Sequence, residues 1–282
     1  MAKDKTYHVR VLKMGQCDVP GPEIYWMAHW DTWETLYFWM VVIQAHGFTA
    51  VINTGPPKDL TELNKFWRHF AGERCQMIRK ESERPERALR SIGVDPSEVD
   101  YVFLSPLQSY ATANVPLFKK ATVCISRRGW IEDFHAPLRE MHVPRRSRIP
   151  DDVVEYLCLT APEKVRLLPD EETEVIPGVR TFWAGVHHRS SMAVCIDTPR
   201  GTVVASDSFL NYENVEENAP LGLAESLEEC VETYNKIRKA GTILLPLYDP
   251  DVFKRIPRAR SLDLARREDY SVPGFNASVC SV

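Results

Sequence analysis

The chain has 282 residues, of which 44% are hydrophobic and 26% are charged, so it can bury a full core as one large domain. Its net charge is −4 and its basic residues are dispersed, which argues against the positive face that a nucleic-acid partner requires. No apolar segment follows the N-terminal charges, and the most apolar stretch, Leu36–Ala45, is too short to cross a bilayer. We therefore expect a cytoplasmic protein with no nucleic-acid or membrane partner.

Seven cysteines are scattered singly along the chain, and no two form a CxxC pair. An odd total without paired spacing argues against a disulfide framework and against a zinc knuckle. Cys124 and Cys195 lie inside apolar runs and are predicted to be small core residues.

Short runs rich in Val, Ile, Tyr and Phe, broken by turn residues, predict the first set of strands. These runs are Tyr7–Leu12, Tyr37–Gln44, Phe48–Ile52, Tyr101–Leu104 and Ala121–Ile125. A helix with one apolar face is predicted by hydrophobic residues at helical spacing, namely Leu60, Leu63, Phe66, Trp67 and Phe70.

A second set of strands is predicted further along the chain, at Glu174–Trp183, Met192–Asp197, Thr202–Ala205 and Thr242–Leu245. Between the last two, Ser226 and Glu229 have the spacing of a capping box at the start of an amphipathic helix. No strand is followed by the glycine-rich turn of a dinucleotide-binding fold. Strand-rich halves with interleaved helices favour a layered α/β sandwich.

Five segments, taken in order, resemble the metallo-β-lactamase superfamily, and within it the N-acyl-homoserine lactonase branch. Phe48–Gly55 resembles the family strand that ends in Asp-Thr-Gly, with Asn53 in place of the aspartate. The other four segments are Leu89–Ser105, Val175–Phe182, Gly201–Asp207 and Leu244–Pro250. The resemblance implies a single domain with a four-layer αββα sandwich, built from two ββα halves at about residues 1–165 and 166–282.

The metal-binding motif of that family, HxHxDH, is degenerate in this chain. The residues that stand at its four ligand positions are Pro106, Gln108, Tyr110 and Ala111. By the same resemblance, His187 matches the third metal histidine, Asp207 matches the bridging aspartate, and Tyr248 replaces the last histidine. Zinc normally requires three ligands of imidazole, thiolate or carboxylate type. The sequence therefore predicts no catalytic metal and no other cofactor.

The resemblance also brings the candidate catalytic residues together. His187 and Asp207 are predicted to form a general base with an oriented imidazole, or else to be the remnant of a metal site. Tyr110 and Tyr248 are predicted to donate hydrogen bonds to an oxyanion, or to fill the space of the lost metals. The candidate substrate-binding residues, whose alternative roles are structural, are Ser105, Gln108, Ser109, His188, Trp26 and Trp30.

Two further segments have alternative interpretations. The aromatic segment Tyr25–Trp39 is expected to line a substrate pocket or to form a homodimer interface. Arg145, Arg146 and Arg148 either clamp a substrate carboxylate or form a solvated charge run, and the solvated run is favoured.

The leading hypothesis is a metal-independent hydrolase or ring-opening enzyme that acts on a small lactone, ester or cyclic amide. Water is the expected nucleophile. The carbonyl substrate follows only from the resemblance. One alternative is a cofactor-free isomerase or cyclase that uses the same His187–Asp207 pair. Another is a non-catalytic ligand-binding or interaction protein on a retired enzyme fold.

Overall fold

Two β-sheets, one of seven strands and one of five, form the centre of the protein. The structure is a computed structural model, and it describes residues 6–135, 148–256 and 280–281. The first sheet contains β1 (His8–Pro20), β2 (Trp33–Ala45), β3 (Phe48–Ile52), β4 (Tyr101–Leu104), β5 (Thr122–Ser126), β6 (Val165–Leu168) and β12 (Cys280–Ser281).

The strand order of the first sheet is β12-β1-β2-β3-β4-β5-β6. Pairing is antiparallel from β12 to β3 and parallel from β3 to β6. Parallel strands are covered on both faces, which explains the nearly continuous apolar runs of β3, β4 and β5. The predicted runs at Phe48–Ile52 and Tyr101–Leu104 are strands with those bounds.

The second sheet contains β7 (Thr173–Ile176), β8 (Val179–Trp183), β9 (Met192–Thr198), β10 (Gly201–Ser206) and β11 (Ile243–Pro246), in the order β11-β10-β9-β8-β7. The predicted strand Glu174–Trp183 is a hairpin rather than one strand. Its turn is at Gly178, which has a positive φ of 81° that glycine adopts readily. β6 pairs with β5, so the first sheet takes up the chain as far as Leu168 before the strands of the second sheet begin, and β12 later returns to the first sheet.

Helices flank the sheets. The α-helices are α1 (Gly21–Ile24), α2 (Thr61–Ala71), α3 (Pro85–Ser91), α4 (Ser109–Thr112), α5 (Arg127–Gly129), α6 (Asp151–Glu155), α7 (Tyr212–Glu216), α8 (Leu227–Ala240) and α9 (Val252–Arg255). Short 3₁₀ segments are Glu81–Glu83, Pro96–Glu98, Val115–Leu117 and Pro162–Lys164, and π-helical segments are Trp130–His135 and Tyr156–Thr160. α3 packs against β1 and α8 against β10. The layers are those of the predicted αββα sandwich.

The predicted capping box before α8 is only half formed. Ser226 Oγ accepts a hydrogen bond from the backbone N–H of Glu229 at 3.4 Å. The Glu229 side chain does not return to the cap, because its carboxylate accepts hydrogen bonds from Arg189.

The core is continuous across both sheets, and the predicted core residues Cys124 and Cys195 are fully buried in it. Tyr7 ties the first sheet to the second, since its N–H donates to Asp197 O and its hydroxyl donates to Pro177 O, each at 2.8 Å. Within the described ranges, no helix is long and apolar enough to cross a membrane.

Candidate functional site

A cavity of about 410 Å³ is lined by residues from both halves of the chain. Much of its wall is apolar, formed by Val19, Leu36, Phe38, Phe66, Trp67, Phe70, Leu210 and Leu223. Its polar lining consists of Glu23, Gln108, Tyr110, Arg148, His187, His188, Glu225 and Tyr248. An apolar cleft with a few convergent polar groups is typical of a small-molecule site.

The site residues follow the ends of neighbouring strands. Asn53 follows β3, and its φ of 64° is a left-handed conformation that asparagine tolerates. The amide of Asn53 donates to Ser105 O at 2.7 Å and accepts from Ser105 N at 2.9 Å. This pair fixes the start of the segment after β4 that carries Gln108 and Tyr110.

Asp207 follows β10 and is fully buried. Ser105 Oγ donates a hydrogen bond to its Oδ1 at 2.5 Å, and Ser191 Oγ donates to its Oδ2. Ser105 Oγ in turn accepts from the backbone N–H of Met192 at 2.8 Å. Both carboxylate oxygens are therefore held by serine hydroxyls, and the charge is stabilised by the fixed side chains around it.

The structure brings His187 to Asp207, as predicted. Its Nδ1 lies 3.4 Å from Asp207 Oδ2. This contact lacks hydrogen-bond geometry, and Nδ1 has no hydrogen-bond partner among the described residues. The carboxylate is close enough to act electrostatically, but it does not orient the imidazole by a hydrogen bond in this conformation.

His188 lines the same cavity as His187, and the two rings are 4.1 Å apart between centroids. Neighbouring side chains diverge on a strand, but this segment is a turn in which Val186 has a φ of 68°. Burial, with smaller contributions from His187 and Arg148, lowers the pKa of His188 well below its ordinary value. The ring is therefore neutral near pH 7.

Both nitrogens of the His188 ring have polar neighbours. Gln108 Nε2 is 3.4 Å from Nδ1, and the Tyr110 hydroxyl is 3.3 Å from Nε2. A neutral imidazole has one acceptor and one donor nitrogen. When Gln108 donates to Nδ1, Nε2 carries the proton and donates to the Tyr110 oxygen. The hydroxyl hydrogen of Tyr110 is then available to the cavity.

Tyr110 and Tyr248 lie side by side, with ring centroids 6.1 Å apart, and each packs edge-on to Phe38 at 5.3 Å. Burial raises the pKa of both phenols well above the ordinary value, and the charge of Asp207 adds to the effect. Both are therefore protonated near pH 7. In the part of the chain that the structure describes, the Tyr248 hydroxyl makes no hydrogen bond of ordinary geometry. The packing fits the space-filling role, and the protonated hydroxyls fit the donor role.

Four of the predicted substrate-binding residues lie outside the cavity lining. Ser105 is fully buried against Asp207, and Ser109 is buried in α4. Trp26 and Trp30 are 50% and 66% exposed, and the neighbouring residues Met27 and His29 have positive φ values of 56° and 57°. Gln108 and His188, in contrast, line the cavity. The substrate-binding role of all six residues stays a prediction.

Other residues of the cavity differ from expectation. Arg148 is only 6% exposed and lines the cavity, so it does not belong to a solvated charge run; Arg145 and Arg146 lie outside the described residues. Sequence reasoning missed Glu23, whose pKa burial raises to about 7. It also missed Glu225, which accepts a hydrogen bond from Arg189 at 2.8 Å. Neither glutamate belongs to a motif that marks it in the sequence.

No protein-family profile and no curated protein sequence matches the chain, whereas many solved structures do. A hydrolase described as belonging to the beta-lactamase superfamily matches with a TM-score of 0.56 and 12% identity, covering 84% of this chain and 82% of its own. This defines the class of fold, which is the metallo-β-lactamase fold that the sequence predicted.

Within that class, the layout is that of the N-acyl homoserine lactone hydrolases. One, with the product N-hexanoyl-L-homoserine bound at its catalytic metal centre, matches with a TM-score of 0.74 and 15% identity over 90% of this chain and 98% of its own. A dizinc quorum-quenching lactonase matches with a TM-score of 0.58 and 12% identity over 84% of each chain. At such identities the likeness is one of fold.

The residues that the structure describes do not fit the two-zinc centre of such a lactonase. A catalytic zinc needs about three protein ligands. The described residues contain no group of three or more His, Cys, Asp and Glu side chains placed to hold a metal ion. Each oxygen of Asp207 already accepts a hydrogen bond from Ser105 or Ser191, and Gln108, Tyr110 and Tyr248 line the cavity with an amide and two phenols, which are poor zinc ligands.

Proposed function

We propose that the protein is a metal-independent hydrolase that opens a small lactone, ester or cyclic amide in this cavity. The observation that carries the proposal is the convergence of two imidazoles and two protonated phenols on one largely apolar cavity, beside a buried carboxylate. Solved lactonases of the same fold support a cyclic ester as the substrate class, by analogy of fold.

In the proposed reaction, His187 removes a proton from an attacking water molecule. The resulting imidazolium is stabilised by the Asp207 carboxylate 3.4 Å away. A small rotation of the ring would align Nδ1 with the carboxylate, and catalytic hydrogen bonds are often long or misaligned before substrate binds.

The phenols supply the second half of the proposed mechanism. Addition of water to the carbonyl places negative charge on its oxygen, and donors already aimed at that charge lower the barrier. Tyr248 and Tyr110 carry hydroxyl hydrogens near pH 7, because burial raises the pKa of each. His188 fixes the position of the Tyr110 hydroxyl at 3.3 Å.

The role of His187 as general base is tested by measuring the turnover of a panel of lactones, esters and cyclic amides by chelator-treated protein. Removing the imidazole with His187→Ala is expected to lower the rate by about 10²–10⁴-fold, the usual effect of a positioned acid–base group. His46→Ala, at an exposed histidine outside the cavity, is the matched control and should leave the rate unchanged. Wild-type turnover in folded His187→Ala would exclude this mechanism.

Tyr248→Phe tests the oxyanion role and separates it from space filling. Loss of one preorganised donor is expected to lower kcat by about 10²-fold. Stability should stay the same or rise, because the hydroxyl is buried without a partner among the described residues. The control is Tyr212→Phe, which removes another such hydroxyl from outside the cavity lining. Equal rates in both variants would assign Tyr248 to packing.

A non-catalytic ligand-binding protein is the second candidate. The serine hydroxyls on both oxygens of Asp207 favour it, because they hold the carboxylate in a network that needs no substrate. In that case, compounds from the same panel would raise the melting temperature without being converted. Conversion with incorporation of labelled oxygen from solvent would exclude this candidate.

A further inference from the structure

Two cysteines that are far apart in the sequence meet in the wall of the cavity. Cys17, in β1, and Cys75, in the segment after α2, are 2% and 4% exposed and line the same cavity. Of the cysteines whose side chains the structure describes, only these two line the cavity. Neither thiol has an assigned role in the proposed hydrolysis.

The backbone on both sides of the pair is fixed. Gln16, which precedes Cys17, exchanges two backbone hydrogen bonds with Ile78, at 2.9 and 2.8 Å. Asp18, which follows Cys17, accepts a hydrogen bond from Arg74 at 3.0 Å, and Arg74 precedes Cys75. The two thiols are therefore held opposite each other by contacts that do not involve them.

We propose that Cys17 and Cys75 form a redox-active dithiol that a hydroperoxide entering the cavity converts into a disulfide. Cys75 attacks the peroxide oxygen, which gives a sulfenic acid and one molecule of water when the oxidant is hydrogen peroxide. Cys17 then attacks the sulfenic sulfur, forms the S–S bond and releases a second water. The thiols lose two electrons and two protons, and the peroxide is reduced.

The order of the two steps follows from the surroundings of Cys17. The neighbouring Cys75 thiol and burial raise the pKa of the Cys17 thiol well above its ordinary value, and the carboxylates of Glu23 and Asp18 act in the same direction. A thiol that keeps its proton is a poor nucleophile, so we assign the first attack to Cys75 and the second to Cys17.

Closing this disulfide would change the cavity. It would join β1 to the segment that follows α2, and α2 carries three cavity residues, Phe66, Trp67 and Phe70. The oxidised protein would have a cavity wall cross-linked at one side and would lack two thiols from its lining.

The experiment maps the cross-link in the native protein and needs no substrate, so it is independent of the proposed hydrolysis. Native protein is treated with hydrogen peroxide, residual thiols are alkylated, and the chain is digested with trypsin. The expected product is the peptide Cys75–Arg79 linked to the peptide that contains Cys17, with the loss of two hydrogen atoms. Cys17→Ser and Cys75→Ser should each abolish it. The control Cys158→Ser, which removes a half-exposed cysteine elsewhere, should retain it.

Oxidation of the unfolded chain in denaturant is the second comparison. There the structure no longer selects one pair, and the specific cross-link should give way to mixed products. Complete alkylation of both thiols after native peroxide treatment would overturn the proposal, as would a cross-link that pairs either thiol with another cysteine. Because the wild-type map decides the outcome, instability of a serine variant would not leave the question open.

Discussion

Glu23 shows how the cavity changes the chemistry of a single residue. Its carboxyl group lines the cavity from α1, and burial raises its pKa from 4.5 to about 7. Between these values the folded protein binds more protons at this site than the unfolded chain does. The contribution of this carboxyl to stability is therefore fully present below 4.5 and is lost as the pH rises through about 7.

Glu23→Gln should remove this loss of stability at high pH, because the amide has the shape of the carboxyl group but never becomes charged. We expect the variant to be more stable than the wild type by at most about 3 kcal/mol near pH 8, since one pKa unit corresponds to about 1.4 kcal/mol. The difference should shrink towards acid pH. Denaturant unfolding at several pH values measures it, with Glu62→Gln, at an exposed glutamate in α2, as the control. Parallel stability curves for wild type and Glu23→Gln would contradict the prediction.

The sequence predicted individual site residues only where a resemblance marked them. His187, Asp207 and Tyr248 were placed together by matching segments in order, and the structure brings them to one site. Ser191 has no such marker, yet its hydroxyl decides how Asp207 is bonded. A serine in a turn is usually a local hydrogen-bonding residue, so only the tertiary contact shows its role.

At the scale of the element, a partly buried cluster of one arginine and two glutamates holds the turn that carries both histidines. Arg189 is 8% exposed and donates to Glu225 at 2.8 Å and to Glu229, in α8, at 3.0 Å. Its guanidinium also lies 4.9 Å from the ring centre of Trp183. The turn 184–191 is thereby tied to a long helix that does not itself line the cavity.

Arg189→Met is expected to destabilise the protein by about 2–4 kcal/mol, because it removes the cation to which Glu225 and Glu229 are both bonded. Arg255→Met is the matched control. The Arg255–Glu216 pair is 3.1 Å apart, but its side chains are 52% and 42% exposed. A pair at the surface contributes less than about 1 kcal/mol. The midpoints of denaturant unfolding give both values, and equal losses in the two variants would count against a special role for Arg189.

The bounds of the elements could be predicted where the pattern is regular and not where a local irregularity breaks it. β1 extends to Pro20, well beyond the predicted end at Leu12. The prediction stopped short because the register with β2 shifts between Lys13 and Gly15. Such a bulge resets the alternation of buried and exposed residues that marks a strand. β6 was missed because it is short and only Leu168 is buried in it, so it lacks an apolar run.

For the whole molecule, the four-layer architecture follows from the order of segments, whereas the lining of the cavity does not. Cys17 in β1, Glu23 in α1 and Cys75 after α2 all line the cavity. No spacing in the sequence encodes that meeting. Trp26 and Trp30 are exposed and do not line the cavity. A homodimer interface at that surface stays a prediction.

The response of the whole protein to zinc tests whether the site has lost its metal. A ligand that binds only the folded state at 100 times its Kd stabilises it by about 2.7 kcal/mol. Because the described residues offer no cluster of metal ligands, we expect neither a chelator nor zinc to change the melting temperature of the wild type.

The comparison is a variant with Gln108→His and Tyr248→His, which adds two imidazoles to the wall that already carries His187. Together with His187 and His188, the two new imidazoles give four around one cavity, which reaches the ligand number that zinc requires, so this variant should gain stability as zinc is added. Saturable stabilisation of the wild type by zinc would show that the protein retains a metal site and would remove the basis for a metal-independent mechanism.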